Sequence, residues 1–149
     1  MSNEAWRNAR AMYENDNCAQ ALGIKIIEMD DGYAQMSMAV TANMLNGHHT
    51  CHGGQLFSLA DTTFAYACNS QGLAAVASAA SIDFLRPAFV GELLTATARV
   101  KHTGQADPGS MTSKLSINSK KLLPYLRGKS HRIRRHNTQE KSDARRLYL

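Results

Sequence analysis

Residues 46–61 read NGHHTCHGGQLFSLAD and bring an amide, three histidines, a thiol, two adjacent glycines and a carboxylate into one short stretch. After the glycines, apolar residues recur at helical spacing, at Leu56, Leu59, Ala60, Phe64 and Ala67. This period predicts an amphipathic helix that begins at Gly53 or Gly54 and ends at about Asn69. The polar groups therefore lie in the loop before a helix and in its first turns, where they could act on one substrate.

The two glycines at the helix start, Gly53 and Gly54, leave the first-turn N–H groups open to a ligand. The first four N–H groups of a helix have no partner within the helix, and the positive end of the helix dipole attracts anions. A carbonyl oxygen that gains negative charge during a reaction could be stabilised there. In the alternative reading, the glycines only ease a tight entry from the loop into the helix.

Asp61 places a carboxylate on a weakly polar helix, where an ionised group is costly unless it is paired or used. It lies eight residues beyond Gly53, or about 12 Å along the axis at 1.5 Å per residue. Asp61 therefore cannot act on a carbonyl held by the N-terminus of its own helix. If both groups serve one reaction, a second copy of the helix must run antiparallel beside the first. A catalytic reading thus demands a two-fold homodimer with two equivalent sites.

Four potential metal ligands stand within five consecutive residues, namely His48, His49, Cys51 and His52. Ligands so close together in sequence rarely converge on one tetrahedral ion, so we predict no metal site here.

The chain has three cysteines, Cys18, Cys51 and Cys68. Their number is odd and their spacings are unlike those of a disulfide framework or a zinc ribbon, so we predict that they are reduced.

The rest of the chain predicts the elements that position this helix. Residues 3–22 carry helical spacing, and residues 24–40 hold two β-leaning runs around an Asp-Asp-Gly turn, which is a hairpin signal. Two further strands are predicted in residues 73–90 and 91–103, divided by Pro87 and Gly91. One long helix among several strands predicts an α+β fold with the sheet packed on that helix.

Length and charge limit the function classes. The 149 residues, 44% of them hydrophobic, predict a single globular domain with a sizeable core. The net charge is +5, but residues 1–104 hold six basic and nine acidic side chains, a net of −3. The basicity thus lies in the C-terminal third, which argues against a nucleic-acid function for the main body. The N-terminal residues lack the apolar run of a signal peptide and no run is long enough to span a bilayer, so a cytoplasmic protein is expected.

The segment NGHHTCHGGQLFSLADTTFAYACNSQG, followed by ASIDFLRPA, resembles the hotdog-fold acyl-coenzyme A thioesterases, in particular the PaaI type of phenylacetate degradation. The resemblance covers roughly residues 5–103 and returns at RGKSHRI. It implies a long helix wrapped by an antiparallel sheet, a homodimer, and the pairing of two dimers into a homotetramer. The implied substrates are phenylacetyl-coenzyme A or its hydroxylated forms.

The resemblance also implies residue roles. Asp61 is the nucleophile or the general base, the Gly53 N–H polarises the thioester carbonyl, Asn46 helps to place the attacking group, and His52 flanks the site. Three further residues, Arg86, Ser78 and Gly54, are implied in substrate binding, with Arg86 near the phosphates of coenzyme A. Such a site needs no metal or organic cofactor.

Two other functions are weighed against hydrolysis. A hotdog-fold acyl-coenzyme A dehydratase would need a histidine and a carboxylate as acid and base, a role into which His52 could be fitted. The Asn46, Gly53 and Asp61 set fits hydrolysis better. The non-enzymatic alternative is a binder of nucleic acid or acidic surfaces through the arginines of residues 134–149.

The C-terminal third departs from the family. Residues 105–126 are rich in Ser, Lys and Asn, and no strand pair is readable there. Read one base out of register, the codons of residues 110–125 can encode an alternating strand, a polar turn and a second strand, as the family carries. We therefore hypothesise a shifted reading frame over about residues 105–126 that disrupts the C-terminal strands. The predicted thioesterase domain spans residues 1–133, and residues 134–149 form a basic tail that is predicted to be disordered.

Overall fold

A computed structural model describes residues 2–102, 110–118 and 122–132 of the chain. The helices of this part are α1 (Asn3–Tyr13), α2 (Asn17–Ala21), a short 3-10 helix (Ala42–Met44) and α3 (Gly53–Asn69). The strands are β1 (Lys25–Asp30), β2 (Tyr33–Ala39), β3 (Ala75–Asp83), β4 (Leu93–His102), β5 (Ser110–Asn118) and β6 (Leu122–Arg132). No helix within the described ranges is both long and apolar enough to cross a membrane.

The six strands form one antiparallel sheet in the order β1-β2-β4-β5-β6-β3. β1 and β2 pair directly across Asp31 and Gly32, and Gly32 has a φ of 63°, which suits a tight turn. The predicted hairpin and α+β class are thus confirmed. β3 follows α3 in the chain but lies at the far edge of the sheet, beside β6.

α3 packs its apolar face on the sheet, chiefly on β2 and β4. The predicted apolar residues of the helix are all buried, namely Leu56, Leu59, Ala60, Phe64 and Ala67. The sheet meets them with alternate residues of the two strands, Ala34, Met36 and Met38 from β2 and Leu94, Ala96 and Ala98 from β4. Because the period is 3.6 in the helix and 2 in the strands, each element presents one apolar face and the core forms between them.

The N-terminal helices are fixed to the body of the protein by polar contacts. The hydroxyl of Tyr66 on α3 donates to the Asp16 carboxylate at 3.1 Å, and the other oxygen of Asp16 caps α2 by accepting from the Ala19 N–H at 2.9 Å. At the C-terminal end of α3, the Ser70 hydroxyl accepts from the Gly32 N–H at 2.8 Å. The segment before α2 and the turn between β1 and β2 are therefore both tied to the central helix.

The strand pair that is not readable from residues 105–126 is present in the backbone. β5 pairs with β4 and β6 pairs with both β5 and β3, so the sheet continues through this segment. The physical reason is that the ladder is made by backbone N–H and C=O groups, which the edges of β4 and β3 would otherwise leave unpaired. The frameshift hypothesis concerns the side chains that these strands carry, and it stays a prediction. The predicted tail, residues 134–149, lies outside the described residues.

Candidate active site

The loop before α3 is a short closed turn. The Asn46 N–H donates to the Thr50 carbonyl at 2.8 Å, and Leu45 forms an isolated antiparallel bridge with Cys51. His49 at the tip has a φ of 59°, and its N–H donates to the Asn46 carbonyl at 3.0 Å. The segments that enter and leave the turn are therefore held side by side. This arrangement fixes the point at which α3 begins.

The Asn46 side chain braces this turn from inside. Its Oδ1 accepts from the N–H groups of His48 at 2.9 Å and Thr50 at 3.2 Å, and its Nδ2 donates to the Thr50 hydroxyl at 3.0 Å. Hydrogen bonds from an asparagine to its own following backbone are the usual basis of an Asx turn. Within the described residues the second N–H of Nδ2 has no acceptor, so Asn46 shapes the loop and retains a donor there.

His52 is the N-cap residue of α3. Its Nδ1 accepts from the Gly54 N–H at 3.0 Å, while its own N–H donates to the Met44 carbonyl at 2.7 Å. Among the described residues, none accepts a hydrogen bond from the Gly53 N–H. The N–H groups of Gln55 and Leu56 donate to the His52 carbonyl at 2.9 and 3.3 Å, so in the first turn of α3 only the Gly53 N–H lacks an acceptor within the described residues. The Gly53 N–H is the donor that the family resemblance implies for the thioester carbonyl.

Gly53 is also in close contact with a residue that the sequence analysis missed as part of the site. A Cβ atom placed on Gly53 would lie 3.0 Å from Cζ of Phe84 and 3.3 and 3.5 Å from its two Cε atoms. A Cβ at 3.0 Å is tighter than most real contacts, so a side chain at this position would require the Phe84 ring to shift by a few tenths of an ångström. Spacing along the chain could not predict this contact. Phe84 follows the edge strand β3, and only the tertiary structure brings the end of β3 to the start of α3.

Asp61 lies on α3 two turns beyond Gly53 and is half-buried. Desolvation raises the pKa of its carboxyl group. In the part of the chain whose side chains are described, no cation or hydrogen-bond donor pairs with it. Its separation from Gly53 remains about 12 Å along the axis, since α3 is an unbroken helix. The structure therefore does not bring the two groups together within one protomer.

The side of α3 that carries Asp61 has small residues. Gly54, Ser58, Asp61 and Ala65 follow one another at intervals of four, three and four, so they form one line along the helix, and none of them is fully buried. Small side chains let another helix approach closely. This line lies beside the apolar face that packs on the sheet.

The two remaining candidates lie in other elements. Arg86 follows β3, where its Nη1 donates to the Pro87 carbonyl at 3.0 Å and lies 3.6 Å from a carboxylate oxygen of Glu92. Ser78 is an exposed residue of β3 at the point where the pairing with β6 shifts register. Neither is joined to Gly53 or Asp61 of the same chain by a hydrogen bond or an ion pair, so the single protomer does not assemble the full predicted set.

The loop histidines do not form a metal-binding cluster with their neighbours. His48, His49 and His52 are exposed, while Cys51 is buried and burial raises the pKa of its thiol. No group of three or more His, Cys, Asp or Glu side chains converges anywhere in the described ranges.

Comparison with known proteins gives consistent matches. The family model described as the thioesterase superfamily matches residues 48–106. The acyl-coenzyme A thioesterase PaaI of Escherichia coli strain K12 is 65% identical over 133 residues, which make up 89% of this chain and 94% of that protein.

Solved structures match over similar lengths. The E. coli PaaI protein from the phenylacetic acid degradation operon aligns with a TM-score of 0.85 and 62% identity, covering 92% of this chain and 99% of that one. A mutant of the phenylacetic acid degradation protein PaaI from Thermus thermophilus aligns with a TM-score of 0.74 and 33% identity, covering 79% of this chain and 100% of that one.

Proposed function

Because the chain belongs to the thioesterase superfamily, and within it to the PaaI-type acyl-coenzyme A thioesterases with a hotdog fold, we propose that it hydrolyses phenylacetyl-coenzyme A or its hydroxylated forms. One observation of the chain itself carries this proposal. Within the part of the chain whose side chains are described, α3 presents an N–H at Gly53 without an acceptor and a half-buried carboxylate at Asp61 without a partner. These are the donor and the base or nucleophile that thioester hydrolysis requires.

In the proposed reaction, the Gly53 N–H donates to the thioester carbonyl oxygen and stabilises its negative charge as the carbonyl carbon becomes tetrahedral. Along one route, Asp61 takes a proton from water and the hydroxide adds to the carbonyl carbon. Along the other, Asp61 adds to the carbon itself and water opens the resulting anhydride. Either way the C–S bond breaks and its electron pair leaves on sulfur. The thiolate takes a proton from Asp61 on the first route and from solvent on the second, and it is released as coenzyme A.

Single-turnover hydrolysis in ¹⁸O-labelled water separates the two routes. If Asp61 is a general base, the product acid gains its label from water in the first turnover. If Asp61 is the nucleophile and water opens the anhydride at the Asp61 carbonyl, the first product carries an unlabelled oxygen from Asp61, and the label enters the protein.

If Gly53 and Asp61 serve one reaction, the distance between them requires a homodimer. If Asp61 of one protomer lies opposite Gly53 of the other on antiparallel α3 helices, the two-fold axis passes near Phe57, halfway between them. Packed helices are about 8–10 Å apart, and the small residues beside Asp61 favour the shorter distance. Each dimer then holds two equivalent sites.

The edge strand β3 offers the second half of the proposed dimer contact. Residues 76–81 of this strand are all exposed, although they are mainly alanine and valine. A long exposed edge of small apolar residues is an aggregation hazard unless something covers it. Pairing of β3 with the same strand of a second protomer would cover it and extend the sheet across the two-fold axis.

Substitution at β3 tests the dimer. Ala80→Lys adds a charge at mid-strand, opposite Gly128 of β6, so it has no cross-strand side chain to disturb within the protomer. We expect this variant to become monomeric in light scattering and to lose hydrolysis. Ile27→Lys, a half-exposed position on the opposite edge strand β1, is the matched control. A dimeric, active Ala80→Lys variant would contradict this arrangement.

The remaining assignments follow from the family. In the proposed complex, Asn46 positions the attacking group, His52 holds the helix start, and Arg86 donates to the phosphates of coenzyme A. Gly54 and Ser78 complete the substrate surface. Two dimers pair into a homotetramer that covers the exposed apolar side chains of Phe89, Val90 and Leu93, and the enzyme works in the cytoplasm without a cofactor, a metal, nucleic acid or a membrane.

The direct test is release of free coenzyme A from phenylacetyl and hydroxyphenylacetyl thioesters. We expect turnover by the wild-type chain and a loss of about 10³-fold or more in Asp61→Asn. Asp31→Asn, which changes an exposed carboxylate in the β1–β2 turn, is expected to behave as wild type. Equal turnover in the Asp61→Asn variant would contradict the proposed function.

A further inference from the structure

Phe84 is an aromatic residue whose placement the core does not explain. Its side chain is 53% exposed, yet the ring tip touches Gly53. The nearest ring atom is Cζ, followed by the two Cε atoms at nearly equal distances from the Cβ position of Gly53. At these three distances the Cβ position lies almost directly above Cζ, so the end of one ring face packs over Gly53, and the rest of the half-exposed ring lies beside the helix start.

The contact brings the ring close to the free N–H. A Cβ atom lies about 2.5 Å from the nitrogen of its own residue, so Cζ of Phe84 is no more than about 5.5 Å from the Gly53 nitrogen. A carbonyl oxygen that accepts from this N–H thus binds beside the ring. Whatever group is attached to that carbonyl has an exposed aromatic surface within reach.

The chemistry of the proposed substrates makes this contact selective. In a phenylacetyl group, one methylene separates the carbonyl carbon from a flat ring, which can stack on Phe84 or meet its edge. An acetyl group ends at its methyl carbon and gains little from the same surface. Pairs of aromatic rings contribute beyond the burial of their area, so the difference between these acyl groups is measurable.

We propose that Phe84 is a specificity-determining residue, whose ring forms the wall against which the acyl group packs and which favours aryl-substituted over short acyl chains. This inference rests on the proposed function, since it names the part of the acyl group that the same site reads. Phe84, directly after β3, would thus select the acyl group. Asp61 and Gly53 cannot make this selection, because both act on the thioester group that all the substrates share.

The test compares two acyl groups in the same variants. Wild type, Phe84→Ala, Phe84→Leu and the control Leu85→Ala are assayed for kcat/KM with phenylacetyl- and acetyl-coenzyme A. Leu85 is adjacent and more exposed, at 66%. Binding is measured in parallel by calorimetry with the non-hydrolysable ketone analogues, phenylacetonyl- and acetonyl-coenzyme A. Dividing kcat/KM for phenylacetyl-coenzyme A by kcat/KM for acetyl-coenzyme A cancels any effect of a substitution on the catalytic groups that both substrates use.

We expect Phe84→Ala to lower the phenylacetyl-to-acetyl ratio about tenfold or more, both in kcat/KM and in affinity. Phe84→Leu is expected to lose less than Phe84→Ala, and Leu85→Ala to keep the wild-type ratio. An equal loss for both acyl groups would mean that the ring only supports Gly53 and would overturn the inference. A change of oligomeric state in Phe84→Ala would make the ring a subunit contact and would also overturn it.

The two readouts separate this inference from the proposed function. Phe84-dependent binding of the phenylacetonyl analogue by a wild-type chain that hydrolyses neither thioester would contradict the proposed function alone. Turnover without a Phe84-dependent ratio would contradict this inference alone. Failure of wild type to bind either analogue would contradict the inference as well.

Discussion

Gly53 meets two requirements at the start of α3. A Cβ atom there would lie 3.0 Å from Cζ of Phe84 and the ring would have to shift, and the N–H must remain free to donate. These requirements can be separated, because proline is tolerated at the first position of a helix and lacks only the N–H there. His52, with φ −59° and ψ 135°, already has the backbone conformation that a following proline demands.

We expect Gly53→Pro to lose about 10²–10³-fold more kcat than Gly53→Ala, since both add a Cβ against Phe84 but only proline removes the donor. Steady-state hydrolysis of phenylacetyl-coenzyme A measures the difference, and circular dichroism confirms that both variants fold. Equal activity of the two variants would show that the Gly53 N–H does not stabilise the transition state.

The environment of Asp61 sets the pH dependence of activity. Burial raises the pKa of its carboxyl group, and the ionised form is the one that acts as base or nucleophile. As pH falls, kcat/KM should therefore decline around a pKa above that of an ordinary aspartate, about 3.9. A pH profile that stays flat down to this value would contradict the role of Asp61.

The same raised pKa bears on stability. The neutral form of Asp61 is favoured in the fold, so its contribution is complete below the pKa of unfolded aspartate and is lost as pH rises through the folded pKa. Asp61→Asn should consequently melt above wild type at pH 7, and the difference should vanish as the pH falls below the pKa of unfolded aspartate.

Sequence reasoning identified some of these residues and missed others for clear physical reasons. Gly53, Asp61 and His52 belong to one helix and its start, where a fixed rise and period relate them. Phe84 joins the site through the tertiary packing of β3, which no spacing rule encodes. The sequence allowed two roles for Asn46, as a turn former and as a site residue. Its hydrogen bonds within the loop show directly that it forms the turn.

At the scale of elements, the N-terminus of α3 depends on a histidine cap. His52 Nδ1 accepts from the Gly54 N–H, and no other acceptor for it is present in the described part of the chain. We expect His52→Ala to cost about 1 kcal/mol, seen as a decrease of about 2–4 °C in the melting temperature. His52→Asn, which keeps a capping acceptor, should retain most of this stability. An unchanged melting temperature in His52→Ala would show that the cap contributes little.

The strands show which elements could be predicted and which could not. The β1–β2 hairpin and β4 were predictable because turn residues and clean alternation mark them. β5 and β6 were not predictable, because the sequence of residues 105–126 has no sustained alternation of apolar and polar residues. Their pairing is seen only in the backbone ladder of the structure. The position of β3 at the sheet edge is a matter of topology, which alternation within the strand does not determine.

For the whole molecule, β6 is a central strand with an atypical residue. It lies between β5 and β3, yet it contains Pro124, and its pairing with β5 shifts register there. Proline cannot donate to a ladder and is normally confined to edges or bulges. We propose that residues 105–126, within the domain of residues 1–133, carry a shifted reading frame, and that residues 134–149 are a separate basic tail.

Sequencing the encoding DNA over codons 100–149 and comparing the printed chain with a frame-restored chain tests this proposal. The restored chain regains alternating apolar side chains in two strands, so it should melt well above the printed one. An equal melting temperature, together with DNA that encodes the printed residues without a family frame, would contradict the shifted frame.

Complementation between inactive variants most directly tests the central claim that each site takes Gly53 from one protomer and Asp61 from the other. In a heterodimer of Asp61→Asn and Gly53→Pro, one site regains both intact groups and the second loses both. Random mixing makes about half of the dimers heterodimers, so co-refolding the two inactive variants should restore about a quarter of wild-type activity. Absence of restored activity, with heterodimers verified by native mass spectrometry, would show that the site does not span two protomers.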